Sequence, residues 1–142
     1  MQTMGLVYAE VELLNSRDVD NFEEGNLPED KVRRMTVRMN VDSGAIMLAI
    51  NENIRTQLGL RVVDTRPCLL ANGSYDELGV VRNVMVRFKN RVSVVSALVL
   101  PGDAEPLLGA IPMEEMDVII SPNKQELIVN PEHPNEAVMA LR

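Results

Sequence analysis

Val37-Arg38-Met39-Asn40-Val41-Asp42-Ser43-Gly44-Ala45-Ile46-Met47-Leu48-Ala49-Ile50 sets an acidic residue in the middle of the most apolar part of the first half of the chain. Val37, Met39 and Val41 alternate with polar residues, which is strand spacing. Ser43 and Gly44 break that strand, and an apolar run follows. The pattern places Asp42 at a strand end with apolar walls around it. A carboxylate held there is costly unless it is hydrogen-bonded, paired or kept partly protonated. Asp-Ser-Gly is also good turn chemistry, with Gly44 available for a positive φ. Both readings stand on this stretch alone.

On either side the chain reads as short strands. Residues 6–14 alternate, with Val7, Ala9, Val11 and Leu13 on one face and Glu10 and Glu12 on the other. Residues 15–31 are polar and acidic, contain Gly25 and Pro28, and read as a surface insertion with a short helical turn near Phe22. Residues 33–41 form the strand that leads to Asp42. A short helix is predicted over residues 51–58, with Asn51 as N-cap and Gly59 closing its end. Residues 61–70 return to strand around Pro67. Ala71-Asn72-Gly73-Ser74-Tyr75 then carries the strongest short hairpin signal, Asn-Gly, in a stretch poor in core residues. It should project as a hairpin or mobile loop. Residues 80–88 alternate, and residues 92–100 read as a strand buried on both faces. Leu107-Leu108-Gly109 precedes a second short helix over residues 111–116, and two further strands flank a turn at residues 121–124. The expected fold is mostly β, a closed or partly closed β-barrel with two short helices. Residues 1–130 read as one domain and residues 131–142 as a C-terminal tail.

The 142 residues are enough for one sizeable core, and with 46 % apolar but only 3 % aromatic residues it must be built of Val, Leu, Ile and Met. A net charge of −7 argues against a nucleic-acid surface. No apolar run reaches the roughly 20 residues of a membrane span, and no secretory signal is visible at the amino terminus. One cysteine, Cys68, forms no internal disulfide, which fits a reducing compartment and a cytoplasmic location. Its neighbours, Pro67 and two leucines, make it a packing residue rather than a nucleophile. The single histidine, His133, lies in the tail and reads as an ordinary surface residue, so a Ser-His-Asp or Cys-His arrangement has no placed histidine. A zinc site cannot be filled from Cys68 and His133, there is no phosphate loop, and no cofactor or metal is expected. Carboxylates remain, and Asp42 stands apart from the other acidic residues. One carboxylate is a poor hydrolase; two that share a proton are a good one. With one such motif in the chain, a dyad requires two chains.

The order Asp42-Ser43-Gly44-Ala45, a short helix ending Leu58-Gly59-Leu60, the hairpin at Ala71-Asn72-Gly73-Ser74, and Leu107-Leu108-Gly109 before a helix resembles the retropepsin-like aspartic proteases, in their small single-domain prokaryotic branch. The likeness extends over residues 6–129. It implies a homodimer in which Asp42 of each subunit is the catalytic aspartate, with Ser43, Gly44 and Ala45 supporting the catalytic loop. It implies a flap for Ala71, Asn72, Gly73, Ser74 and Tyr75, closing over a peptide or protein substrate. It gives Leu107, Leu108 and Gly109 a supporting role behind the aspartate loop. Three departures stand out. Ser replaces the commoner Thr of the triplet, residues 15–31 are inserted near where dimer sheets form in viral members, and Ala110-Ile111-Pro112 follows Leu-Leu-Gly in place of an acidic residue. The implied function is an aspartic endopeptidase; the alternative is a catalytically silent dimeric binding or assembly module of the same fold. The partners expected are a second copy and a substrate, with no nucleic acid and no membrane.

Overall fold

The computed structural model describes residues 6–141. Nine strands and three helices follow in the order β1 (Tyr8–Asn15), α1 (Ser16–Glu23), β2 (Arg34–Val41), β3 (Leu48–Asn51), α2 (Glu52–Leu58), β4 (Asp64–Leu69), β5 (Tyr75–Phe88), β6 (Arg91–Leu100), β7 (Leu107–Leu108), α3 (Ala110–Met116), β8 (Val118–Ile120) and β9 (Leu127–Val129). Six of them run round in the order β1-β2-β7-β3-β6-β5, and β5 pairs back onto β1. The mostly-β barrel read from the sequence is therefore closed. Closure leaves β4 as the free edge, carried outside the ring on the first half of β5. Pro67 sits on that edge, where its missing N–H breaks no inner ladder. A separate hairpin, β8–β9, follows α3.

Aliphatic side chains fill the barrel: Leu13, Met39, Leu48, Ile50, Val84 and Leu108 are wholly buried. Tight ladder register fixes which face each strand turns inward. In β5 the inward set changes phase at a bulge, because Val81 pairs with Ala97 but Val84 pairs with Val95. One extra residue on β5 lets Val81 and Val84 both point inward although they are an odd number of positions apart, and both are fully buried.

The structure corrects the sequence reading in four places. Helix α1 contains the short helical turn read near Phe22 but is longer, beginning at Ser16 directly after β1. Asn15 caps it, its side chain accepting from the Asp18 N–H at 3.2 Å, and Val19 packs with Leu14 and Val32 in a small second core. Strand β6 is not buried on both faces: Val92 and Val94 are half-exposed, while Arg91 and Ser93, which alternate with them, are buried. Cys68 lies half-buried on outer strand β4, not in the core, its Sγ 3.4 Å from the Arg66 carbonyl. His133 is tied down: its Nδ1 lies 2.6 Å from Asp117 Oδ2.

That last contact belongs to a set that holds residues 130–138 against the body. Asp117, in the left-handed conformation that ends α3, accepts from Asn130 Nδ2 at 3.0 Å and from the Val138 N–H at 3.1 Å. The guanidinium of buried Arg91 donates to the His133 carbonyl, and Asn90 donates to the Pro134 carbonyl at 3.0 Å. The bonds made to Asp117 itself hold its carboxyl well below the usual carboxylate range, at about 2, with the Asn130 amide the largest cause, then the Val138 N–H and His133.

Candidate active site

Asp42 is the first residue beyond β2, and its position is set by β7. That two-residue strand wedges between the strands on either side of the Asp42 loop. It runs parallel to β2, with Asn40 against Leu107 and Val41 against Leu108, and antiparallel to β3, with Ala49 against Leu107. The loop at residues 42–47 must then arch over the end of β7. The Asp42 N–H donates to the Leu108 carbonyl at 3.0 Å, the Ala110 N–H to Ala45 at 2.8 Å, and the Ile111 N–H to Ile46 at 2.9 Å. The loop is thus stapled, bond by bond, to Leu108 and the first turn of α3.

Two glycines make this arch possible. A β-carbon on Gly109 would stand 2.3 Å from the Met47 carbonyl oxygen and 2.8 Å from that of Ala45, so no other residue fits beneath the loop as it stands. Gly44 donates its N–H to Asp42 Oδ1 at 2.9 Å, and a β-carbon there would lie 3.1 Å from the same oxygen. The carboxylate is oriented by a backbone bond that a side chain at residue 44 would crowd.

The apolar walls expected around Asp42 are absent within one chain. The aspartate is half-buried and opens onto a face where Ser43 and Gly44 are exposed. The apolar run divides: Leu48, Ala49 and Ile50 turn into the barrel, whereas Ile46 turns outward and is 69 % exposed. Ile111, bonded through its backbone to Ile46, is 45 % exposed. Neither described cavity is lined by Asp42. Sequence reasoning missed Ile46 and Ile111. The signal available was an apolar residue in a loop held by polar and glycine neighbours.

The polar surroundings of the strand leading to Asp42 are also ordered. Asn40 Nδ2 donates to Glu105 Oε2 at 3.2 Å, and the Arg38 guanidinium lies over the Tyr8 ring at 4.3 Å from its centroid. The hydrogen bond to Glu105 is the main cause of a raised Tyr8 hydroxyl pKa.

Residues 71–75 form the tip of the β4–β5 hairpin and its first outgoing residue. Leu69 pairs with Tyr75, the Gly73 N–H donates to the Leu70 carbonyl at 2.9 Å, and the Leu70 N–H donates to Ser74 at 2.8 Å. The left-handed residue is Gly73, at φ +86°, and not Asn72, so the tip is a longer loop than the two-residue Asn-Gly turn. Leu69 and Tyr75 are 64 % and 75 % exposed. The hairpin lies beside the Asp42 loop: Arg66 Nη1 of β4 is 3.3 Å from Met47 Sδ. The structure therefore brings together the Asp42 loop, Leu107-Leu108-Gly109 and the hairpin, and leaves His133 on the Asp117 side of α3.

The aspartyl protease family model matches residues 31–120 of the chain. Among solved structures, the retroviral protease-like domain of Ddi1 from Leishmania major shares the fold, with a TM-score of 0.57, 14 % sequence identity and 91 % of each chain covered. No curated protein matches the chain.

Proposed function

The chain belongs to the aspartyl protease family and has the retropepsin-like fold, and on that premise we propose that it is a peptide hydrolase whose working unit is a homodimer with one Asp42 from each copy. One observation carries this reading. Asp42 is rigidly held yet stands on an open surface beside Ile46 and Ile111, two exposed apolar side chains that one chain leaves uncovered. A second copy placed on this face would bring the two carboxylates together and cover the isoleucines.

Two carboxylates in contact cannot both stay ionised, so they hold one proton between them. The ionised Asp42 takes a proton from a water molecule as that water attacks the peptide carbonyl carbon. The protonated Asp42 donates a hydrogen bond, then its proton, to the carbonyl oxygen. Collapse of the tetrahedral intermediate breaks the C–N bond, the leaving nitrogen receives a proton, and the dyad returns to its singly protonated state. Ser43, exposed in one chain, would meet its counterpart across the axis of the proposed dimer. The β4–β5 hairpin would act as the flap, with Leu69 and Tyr75 as its contact surface and bulk water excluded on closure.

Sedimentation equilibrium at micromolar protein, paired with a peptide-library digest from mildly acidic to neutral pH, tests the reading. A dimer that cuts is expected. A monomer at all accessible concentrations defeats the proposed site. A well-folded dimer that cuts nothing in the library favours the binding-module alternative.

A further inference from the structure

A cavity of about 330 Å³ opens between α1, the link from α2 to β4, and the β5 bulge, and its lining holds four arginines, Arg17, Arg33, Arg61 and Arg82, against one carboxylate, Asp18. That balance runs against the composition of a chain carrying 21 acidic and 14 basic residues. Asp18 is already committed. It takes Arg33 Nε at 2.7 Å, Arg33 Nη2 at 3.0 Å and the Arg33 N–H at 3.0 Å. Those contacts, the Arg33 side-chain bond foremost, hold its carboxyl below the usual range. Arg17, Arg61 and Arg82 are exposed, and among the described residues none has a carboxylate within salt-bridge distance.

The walls are built rather than incidental. Arg33 is fixed by its fork onto Asp18 and lies across Gly59, where a β-carbon would meet its Nη1 at 1.8 Å. Asn15, 3 % exposed, holds the floor by donating to the Leu58 carbonyl at 2.9 Å. The bulge that buries Val81 and Val84 has a second effect. It turns Arg82 and Asn83, consecutive in sequence, outward together at the cavity, with Asn83 held at φ +63°. Backbone of that kind is uncommon outside glycine, and bulges re-aim side chains at sites.

We infer that this cavity binds a compact, multiply charged oxyanion, a phosphate or polycarboxylate group. The cavity lies at the small end of ligand pockets. No aromatic residue lines it, so it offers no stacking surface for a base. Guanidinium forks match the oxygens of carboxylate and phosphate in pairs, and clustered cations without a counter-charge gain most from a shared anion. The site also straddles the root of the β4–β5 hairpin. The Val63 N–H donates to the Val80 carbonyl at 2.9 Å, with Arg61 two residues before Val63 on the link into β4 and Arg82 two residues after Val80 on β5. A bound anion therefore ties the hairpin root to α1. The binding site stands by itself; the consequence for closure rests on the reading of the hairpin as a flap.

Isothermal titration calorimetry with inorganic pyrophosphate and with citrate, at low ionic strength, tests the site without any peptide substrate. Saturable binding of at least one is expected in the millimolar range or tighter, and which one binds identifies the oxyanion class. Arg61→Gln and Arg82→Gln should each weaken it by about tenfold, the order expected for losing one charge-assisted contact. Arg87→Gln, outside the cavity and paired with Glu12, should leave it unchanged. No saturable binding of either anion, or equal weakening by all three variants, overturns the site. Amide exchange over β4 should slow when the binding anion is added. Binding with unchanged exchange there overturns the link to the hairpin and leaves the site standing. Neither readout depends on peptide hydrolysis, so failure of the protease reading is told apart from failure of this one.

Discussion

Gly109 lies against Met47 so closely that a β-carbon on the glycine would sit 2.3 Å from the Met47 carbonyl oxygen. Its φ of −92° is open to any residue, so contact and not conformation keeps this position empty. The crossing carries the bonds from Asp42 to Leu108 and from Ala110 to Ala45, which makes the Asp42 loop and the β7–α3 junction one mechanical unit.

Gly109→Ala must push the two backbones apart at that crossing. Overpacking a close contact costs about 1–3 kcal/mol, and here the obstacle is backbone, which yields less readily than a side chain. The urea midpoint should fall with an unchanged slope, and amide exchange at Asp42 should speed up. Wild-type stability together with wild-type protection at Asp42 would contradict the stapled loop.

Ser43→Ala separates the fold from assembly. Ser43 is exposed in one chain, and exposed substitutions change subunit stability by about 0.5 kcal/mol or less. In the proposed dimer its hydroxyl is buried, and leaving a partner unsatisfied costs about 1–3 kcal/mol. Dimer dissociation should therefore shift much more than subunit unfolding. Equal shifts in both, or none in either, remove the proposed cross-axis role.

The barrel was readable because its strands obey the alternation that one buried face imposes, from Val11 and Leu13 to Val37 and Met39. The Asp42 loop, Leu107-Leu108-Gly109 and the hairpin were readable as short motifs in a fixed order. Helix α1 was readable only as a turn near Phe22 and not over its full length, because Val19 is the one buried apolar residue in a helix otherwise made mainly of polar residues. Its signals were the Asn15 cap and Asp18 three positions on, but the Asp18–Arg33 pair that anchors it joins residues 15 apart, which local pattern does not reveal. The same limit hid the bulge: Val81 and Val84 fall on opposite faces of a regular strand, and closure of the barrel forces both inward. The tail's attachment was hidden because Asp117 collects its partners from residues 130, 133 and 138.

Acid should release that attachment. The Asp117 carboxyl is lowered from 3.8 to about 2, with Asn130 the main cause and the Val138 N–H next. A depressed folded value means the contribution is fully present above the unfolded value and is lost as pH falls through the folded one. The Asp117 contacts to residues 130, 133 and 138 should hold at neutral pH and weaken as pH falls from about 4 toward 2, while the Arg91 and Asn90 bonds to the His133 and Pro134 carbonyls stay. Exchange at the Val138 amide, followed with pH and corrected for its intrinsic rate, checks this. Asp117→Asn should show the released state at neutral pH. Persistence of wild-type protection in that variant would show that Asp117 does not organise the segment.

Asp42→Asn tests the chemistry itself. Asn is nearly the size of Asp and its side-chain oxygen can still accept the Gly44 N–H, so the loop geometry should survive. It cannot take a proton from water, and in a homodimer one substitution removes the base from both halves at once. Loss of a general base costs on the order of 10²–10⁴ in rate, and more where base and positioning act as a unit. Dimerisation should hold or tighten, since two neutral amides replace two carboxylates that must otherwise share a proton. In the proposed dimer the same sharing should give the wild type a bell-shaped pH profile, with activity lost when the dyad is fully protonated and when it is fully ionised. A peptide-library digest across mildly acidic to neutral pH, with sedimentation of both proteins, reads every part of this. Equal cutting by wild type and Asp42→Asn would assign the chemistry elsewhere. Loss of cutting together with loss of the dimer would make Asp42 a residue of assembly, and Asp42→Glu, which keeps the charge and displaces the carboxylate, then separates the two: a dimer that cuts slowly restores the catalytic role, and a monomer removes it.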